Sequence, residues 1–288
     1  MSSSLLRPAT ESDAEQIAAL FRAAFPVWRP LEAADVLAWL RDSEVGDENV
    51  RVLELDGRVA GYGDVTVGRD VQLDVAAPGH WDVFLDWLEQ RAGGSRARAY
   101  FPQGHELEAI VGARGYRYWR SSFTMQIDLP ERPPAPRIPE GIDVRAYREE
   151  DAGAVISAMN EAFAEDPFWH RADPENFSTV YAGGRSAQPA LWRVAWDGHE
   201  VAGCVLPDPS RGADTSLGWV RILAVREPWR RRGLGEALLR MALREHYDRG
   251  LRKAGLGVDA ENPTRAVSLY ERVGMHTAYR LDNWVKDA

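Results

Sequence analysis

The chain has 288 residues, 45% of them hydrophobic and 27% charged, with a formal net charge of −9. That length suits two domains of ordinary size, and that composition is the one of globular proteins. The acidic balance leaves no basic stripe to neutralise phosphates, which excludes nucleic acid as a main partner, and no apolar run approaches the roughly 18 residues of a membrane span.

Cys204 is the one cysteine, so no internal disulfide forms and a reducing compartment fits. It stands in an alternating run, Val201 to Leu206, where a buried small hydrophobe is expected. Met1 to Leu6 lack the basic-then-apolar pattern of a secretory signal, so a cytoplasmic location is expected.

From the start of the chain, Leu6-Arg7-Pro8-Ala9-Thr10-Glu11-Ser12-Asp13-Ala14 runs into a helical pattern that reaches Phe25. Asp56-Gly57 marks a hairpin turn between strand-like runs. After Leu73-Asp74-Val75 the chain reads Ala76-Ala77-Pro78-Gly79-His80-Trp81-Asp82. Leu129 to Gly141 holds five prolines and no periodicity, the mark of a semi-rigid spacer.

Beyond the spacer the plan repeats. Val144-Arg145-Ala146-Tyr147-Arg148-Glu149-Glu150-Asp151-Ala152 matches Leu6 to Ala14, and its helix reaches Phe163. Asp197 to Gly203 matches Asp56 to Gly61 with one residue inserted, and Ser268 to Met275 matches Ala109 to Tyr116. A period of about 140 residues means duplicated domains, since solenoid repeats span about 20–50. The expected division is 1–128, a spacer over 129–141, and 142–288.

The second copy carries the chemistry. An apolar strand pattern over Leu217–Val225 leads to Arg230-Arg231-Arg232-Gly233-Leu234-Gly235 and into a helix with Leu234, Leu238, Met241 and Ala242 on one face. A helix start has unpartnered N–H groups, and glycine lets the backbone approach an anion. Three arginines at the positive end of a helix dipole cost stability unless an anion sits there. No G-x-x-x-x-G-K-[ST] and no G-x-G-x-x-G occurs at this loop, which excludes both kinds of nucleotide-binding loop there. What remains is R-x-x-G-x-G.

A second segment follows. Asn262 suits an N-cap, Pro263 a first helical position and Gly274 a C-terminal stop, around Ala266, Val267, Leu269, Tyr270 and Val273.

These two segments resemble the coenzyme loop and the following strand–helix unit of the GCN5-related N-acetyltransferases. With the duplication, the chain is similar to the tandem subgroup to which bacterial mycothiol synthases belong. The resemblance implies an α/β fold with a mixed α+β sheet, built as two tandem acetyltransferase folds with the first degenerate. It implies acetyl-CoA as cosubstrate, no metal, and direct transfer to a primary amine of a small molecule.

Residue by residue, the resemblance assigns the coenzyme to Leu223, Ala224, Val225, Arg230, Arg231, Arg232, Gly233, Leu234, Gly235, Glu236, Asn262 and Arg265. It makes Tyr270 the acid that protonates the thiolate. On the acceptor side it implies Trp219, Arg221, Glu165, Asp166 and His170. The strand ahead of the loop carries no carboxylate where many family members have a Glu. The base is therefore sought at Glu165, Asp166 or His170, with His276 and Asp282 as further candidates. In the first copy Val111 stands at the place of Tyr270 and Gln103 at that of Asn262, and the loop arginines and second glycine are missing. That copy is expected to serve packing, or to shape the acceptor cleft, or to hold coenzyme A without catalysing. Competing classes are a coenzyme-binding regulator without turnover, a mycothiol synthase and a protein N-acetyltransferase.

Overall fold

The computed structural model describes residues 4–25, 31–41, 49–67, 70–182, 187–210, 216–262 and 264–287, so the reading of Pro263 lies outside the described residues. The chain forms two units, Met1–Ser121 with Tyr279–Ala288, and Ser122–Ala278.

In the first unit the strands are β1 (Ser4–Pro8), β2 (Val50–Leu55), β3 (Arg58–Val67), β4 (Val71–Ala76), β5 (Ala97–Pro102) and the last strand of the chain, β12 (His276–Lys286). They lie in the order β1-β2-β3-β4-β5-β12, antiparallel except for β4 and β5. The helices are α1 (Ala14–Ala24), α2 (Ala33–Leu40), α3 (Trp81–Ala92) and α4 (Leu107–Ala113). Ala14, Ile17, Ala18 and Phe21 make the buried stripe of α1, at the spacing that puts one helix face on a core.

In the second unit, residues 122–128 of β6 (Arg117–Asp128) pair with β11 (Lys253–Asp259). Beyond β11 come β10 (Leu217–Val225), β9 (Glu200–Asp208), β8 (Arg193–Asp197) and β7 (Asp143–Ala146). The helices are α5 (Ala152–Ala162), a single turn α6 (Pro174–Asn176), α7 (Leu234–Asp248) and α8 (Ala266–Val273). One face of the sheet packs on α7 through Leu238, Leu239, Ala242 and Leu243, and the other packs on α5 through Val155 and Met159.

The duplication is visible atom by atom at the start of each unit. Arg7 donates to Asp13 at 2.8 Å, and Arg145 donates to Asp151 at 2.7 Å. Each buried aspartate also accepts the backbone N–H three residues before it, from Thr10 at 2.8 Å and from Arg148 at 2.9 Å. A strand end is thus tied to a helix start by the same charge-assisted bonds in both copies.

The units do not follow the boundaries expected from the repeat. The final strand of each comes from the other half of the sequence. Residues 122–128 pair with β11, and residues 281–286 pair with β5. Local sequence specifies that a strand forms, and side-chain pairing across the ladder decides which edge it joins. The proline-rich segment is also not a free spacer. Leu129 is buried and its N–H bonds Arg252 O at 2.8 Å, Arg244 bonds Pro133 O at 2.6 Å, and Arg132 pairs with Asp248.

Candidate active site

β10 pairs with β11 in parallel only at Leu217, Gly218 and Trp219. Past Trp219 the ladder ends, while β10 stays bonded to β9 as far as Val225. The residues Leu223–Val225 therefore face a gap with main-chain groups that no neighbouring strand takes on that side. A bulge at Arg221 in the β9 ladder accompanies this opening, as bulges re-aim strands near sites.

The turn after β10 is braced from below. Trp229 is buried and donates its indole N–H to Asp197 at 2.8 Å. Arg230 donates to Val225 O and to Ala162 O, both at 3.0 Å. Its guanidinium thus ties the end of β10 to the end of α5, which is a different task from facing a phosphate. Arg232 donates to Glu140 O at 3.3 Å and does not line the cavity. Arg231 and Gly233 have φ of 60° and 87°, and this left-handed turn sets the chain into α7. Ala237 N–H bonds Gly233 O at 3.0 Å, so the N–H groups of Leu234, Gly235 and Glu236 have no partner within the helix.

Gly235 sits in a close contact between two helices. A Cβ there would lie 3.2 Å from Leu269 Cδ2 and 3.7 Å from Val225 Cγ2. The helix mouth can approach a ligand closely because α8 fits against it without an intervening side chain.

α8 begins at Ala266, with Arg265 as its N-cap at φ 57°, and stops at Gly274 at φ 102°. The stop is the one expected from sequence. The start is not: Asn262 is not the cap, and its side chain accepts the N–H of Thr264 at 2.9 Å, closing a tight turn before the helix. Tyr270 is buried, and its hydroxyl bonds no described residue. Burial pushes its pKa above the usual tyrosine value, so the protonated form is favoured.

These elements enclose a cavity of about 1160 Å³. It gathers Leu223, Ala224, Val225, Arg230, Arg231, Gly233, Gly235, Glu236, Asn262, Arg265 and Tyr270, with Glu165 and Asp166 at the α5 side. Leu234 is a core side chain, 1% exposed, and is not among the residues lining the cavity.

Other expected acceptor residues lie elsewhere. His170 is exposed and outside the cavity lining. Arg221 donates to the buried carboxylate of Asp208 at 2.6 Å. The Trp219 ring lies over β11, 3.0 Å from the Cβ position of Gly255 and 3.9 Å from that of Gly257. His276 is exposed. Asp282 belongs to the first unit, where it accepts from Arg280 at 2.8 Å and from Ser121 at 2.7 Å.

Sequence reading missed Asn160, the pin of the α5 lip. Its side chain bonds both Ala172 N and Ala172 O, at 2.8 and 2.7 Å, and accepts Trp169 Nε1–H at 3.1 Å. Trp169 stacks on Phe163 at 4.7 Å. It also missed Arg272 on the cavity wall, where its helical spacing from Ser268 and Leu269 was the available signal.

The equivalent region of the first unit is closed by side chains. β4 and β5 pair at three positions and then part, as β10 and β11 do. Only Ala77-Pro78-Gly79-His80 then lead into α3, whose first residue is Trp81. Trp81 is 3% exposed, packs on Phe25 and His105, and donates to Glu106 at 2.5 Å. Val111 is fully buried. The helix mouth that would face an anion holds an indole.

A strand that opens beside a glycine-bounded helix mouth, with a buried phenol in the same cavity, is the arrangement expected of an acyl-transferring enzyme. Residues 156–275 match the model of the Acetyltransferase (GNAT) family. A mycothiol acetyltransferase of Geodermatophilus obscurus is 30% identical over 88% of this chain and 87% of its own length. One from Cellulomonas flavigena is 29% identical over 83% and 75%. The structure of a GCN5-related N-acetyltransferase from Sphaerobacter thermophilus matches with a TM-score of 0.83 and 28% identity, covering 99% of this chain and 95% of that one. A tandem GNAT protein from the clavulanic acid biosynthesis pathway shares the fold, with a TM-score of 0.73 at 16% identity over 99% and 98%. The chain belongs to the GNAT acetyltransferase family, in a tandem form whose first copy has lost the coenzyme loop.

Proposed function

We propose that the second unit moves an acetyl group from acetyl-coenzyme A directly to a primary amine of a small molecule. The observation that carries this reading is the opening of the β10–β11 ladder into the cavity that also holds the mouth of α7 and the buried Tyr270. The N–H groups of residues 234–236 take the pyrophosphate. The main chain of Leu223–Val225 aligns the pantetheine arm and offers a backbone N–H to the thioester oxygen as it becomes negative. Holding amine and thioester in near-attack geometry supplies much of the rate.

The amine attacks the thioester carbon, and the resulting tetrahedral species expels the thiolate. Tyr270 protonates that sulfur. Burial makes this phenol a weaker acid, but the same dry surroundings disfavour an unprotonated thiolate, and the proton Tyr270 gives to sulfur is restored from solvent. With no carboxylate on β10, the proton lost by the amine leaves through water to Glu165 or Asp166.

The curated relatives are named mycothiol acetyltransferases, and their similarity over most of the chain favours a second, narrower reading in which the acceptor is the unacetylated precursor of mycothiol. A panel of amines containing that precursor, with release of free thiol as the readout and mass detection of the product, tests both readings. Acetylation of the precursor alone supports the narrower one. Coenzyme binding without thiol release across the panel would leave a regulator rather than an enzyme.

A further inference from the structure

Charges of both signs line the α5 and α7 walls of the cavity, where Arg230 and Arg231 accompany the carboxylates, whereas the charged residues lining the α8 wall are cations alone. On the α5 and α7 walls, Glu161 pairs with Arg226 at 2.7 Å and Glu236 with Arg240 at 2.9 Å, while Glu165, Asp166 and Glu227 add negative charge. On the α8 wall the lining includes Thr264, Arg265, Ser268, Leu269, Tyr270 and Arg272, and no carboxylate among the described residues lines it. Arg265 and Arg272 are both exposed, and neither pairs with a described carboxylate. Arg272 uses one N–H on Ser268 O at 2.9 Å, which steadies the side chain along the helix and leaves its remaining donors for another partner.

Position locates what these cations face. Arg272 stands one helical turn after Leu269 on α8, and Arg265, the N-cap just ahead of the helix, lines the same cavity. Leu269 Cδ2 lies 3.2 Å from the Cβ position of Gly235, at the mouth of α7. The two arginines therefore share a wall of the cavity with the leucine that abuts the pyrophosphate site. The backbone N–H groups at that mouth already serve the pyrophosphate. The other anion of coenzyme A is the 3′-phosphate on the adjoining ribose, a monoester carrying about 1.5–2 negative charges at neutral pH. The planar fork of arginine suits such a group.

We propose that Arg265 and Arg272 hold the 3′-phosphate, so that this site distinguishes coenzyme A from 3′-dephospho-coenzyme A. The inference rests on the coenzyme reading given under Proposed function. The left-handed backbone of Arg265, at φ 57°, is a conformation that glycine adopts more readily. An arginine there keeps a side chain at the cavity in spite of that preference.

The test is calorimetric titration of the full chain with coenzyme A and with its 3′-dephospho form, for the natural protein and for Arg265→Gln, Arg272→Gln and the double variant. The natural protein is expected to bind coenzyme A about 10- to 100-fold more tightly than the dephospho form, the span of one or two charge-assisted contacts. The double variant is expected to bind both forms alike, with the affinity for the dephospho form held within about threefold. Arg265→Gly relaxes the backbone, so its melting temperature should match or exceed that of the natural protein while discrimination still falls. Equal affinity of the natural protein for the two forms overturns the proposal. So do variants that weaken both forms to the same extent. If the natural protein binds neither form, the coenzyme reading itself fails, an outcome distinct from binding without discrimination.

Discussion

Gly235→Asp separates ligand binding from folding at one position. Gly235 is the second residue of α7 and has an ordinary helical backbone. An aspartate there meets the flexible tip of Leu269 at 3.2 Å, a contact the leucine can relieve by a small rotation. Replacing a helical glycine by aspartate gains about 0.3 kcal/mol of propensity, and a carboxylate in the first turn gains about 0.3–1 kcal/mol from the helix dipole. The variant should therefore melt close to the natural protein. Binding should suffer. A carboxylate about 4 Å from one phosphate charge is repelled by about 4 kcal/mol at an effective dielectric constant near 20, roughly a thousandfold in affinity. Gly235→Ala adds the same Cβ without charge, and its loss should stay within about tenfold, the scale of one crowded methyl group. Calorimetric titration with coenzyme A, alongside thermal melts of each variant, makes the comparison. Affinity in the aspartate variant within about threefold of natural would place the pyrophosphate elsewhere. Equal losses for alanine and aspartate would make the effect steric and refute the charge argument.

Tyr270→Phe keeps the ring and removes a hydroxyl that bonds no described residue, so stability and coenzyme affinity should hold while kcat and kcat/KM fall together by about 10²–10⁴. Near-natural turnover with an active acceptor would remove Tyr270 from the acid role. Coenzyme A should bind at one site per chain, because Trp81 and its neighbours fill the corresponding mouth of the first unit. Two sites of similar affinity in a calorimetric titration would contradict that. His246 is fully buried, its Nε2–H donates to Asp208 O at 3.0 Å, and burial lowers its pKa to about 4. The unfolded chain takes up this proton near pH 6.5 and the folded one near 4, so stability should be unaffected by this group above pH 6.5 and fall by about 3 kcal/mol as pH drops to 4. Chemical denaturation across that range should show the slope, and His246→Gln should flatten it.

The local features of the site were legible in the sequence because their causes are local. An apolar run of nine residues forms β10, glycines at 233 and 274 take left-handed turns, and an apolar stripe buries α7. The duplicated Arg–Asp ties at 7–13 and 145–151 lie six residues apart in each copy, so the repeat could be seen before the fold. Tertiary structure decided what depends on partners distant in sequence. Arg230 and Arg221 look like ligand-binding arginines in a motif, and their actual partners, Ala162 O and Asp208, lie 68 and 13 residues away. Asn262 has a capping side chain, but Arg265 adopts the turn that starts α8. The ends of the two domains also exchanged strands, since β6 and β12 carry no local mark of the edge each would join. A sequence specifies the conformations its neighbouring residues favour. Which buried donor meets which acceptor, and which strand edge is satisfied, is settled only when distant segments compete for the same hydrogen bonds.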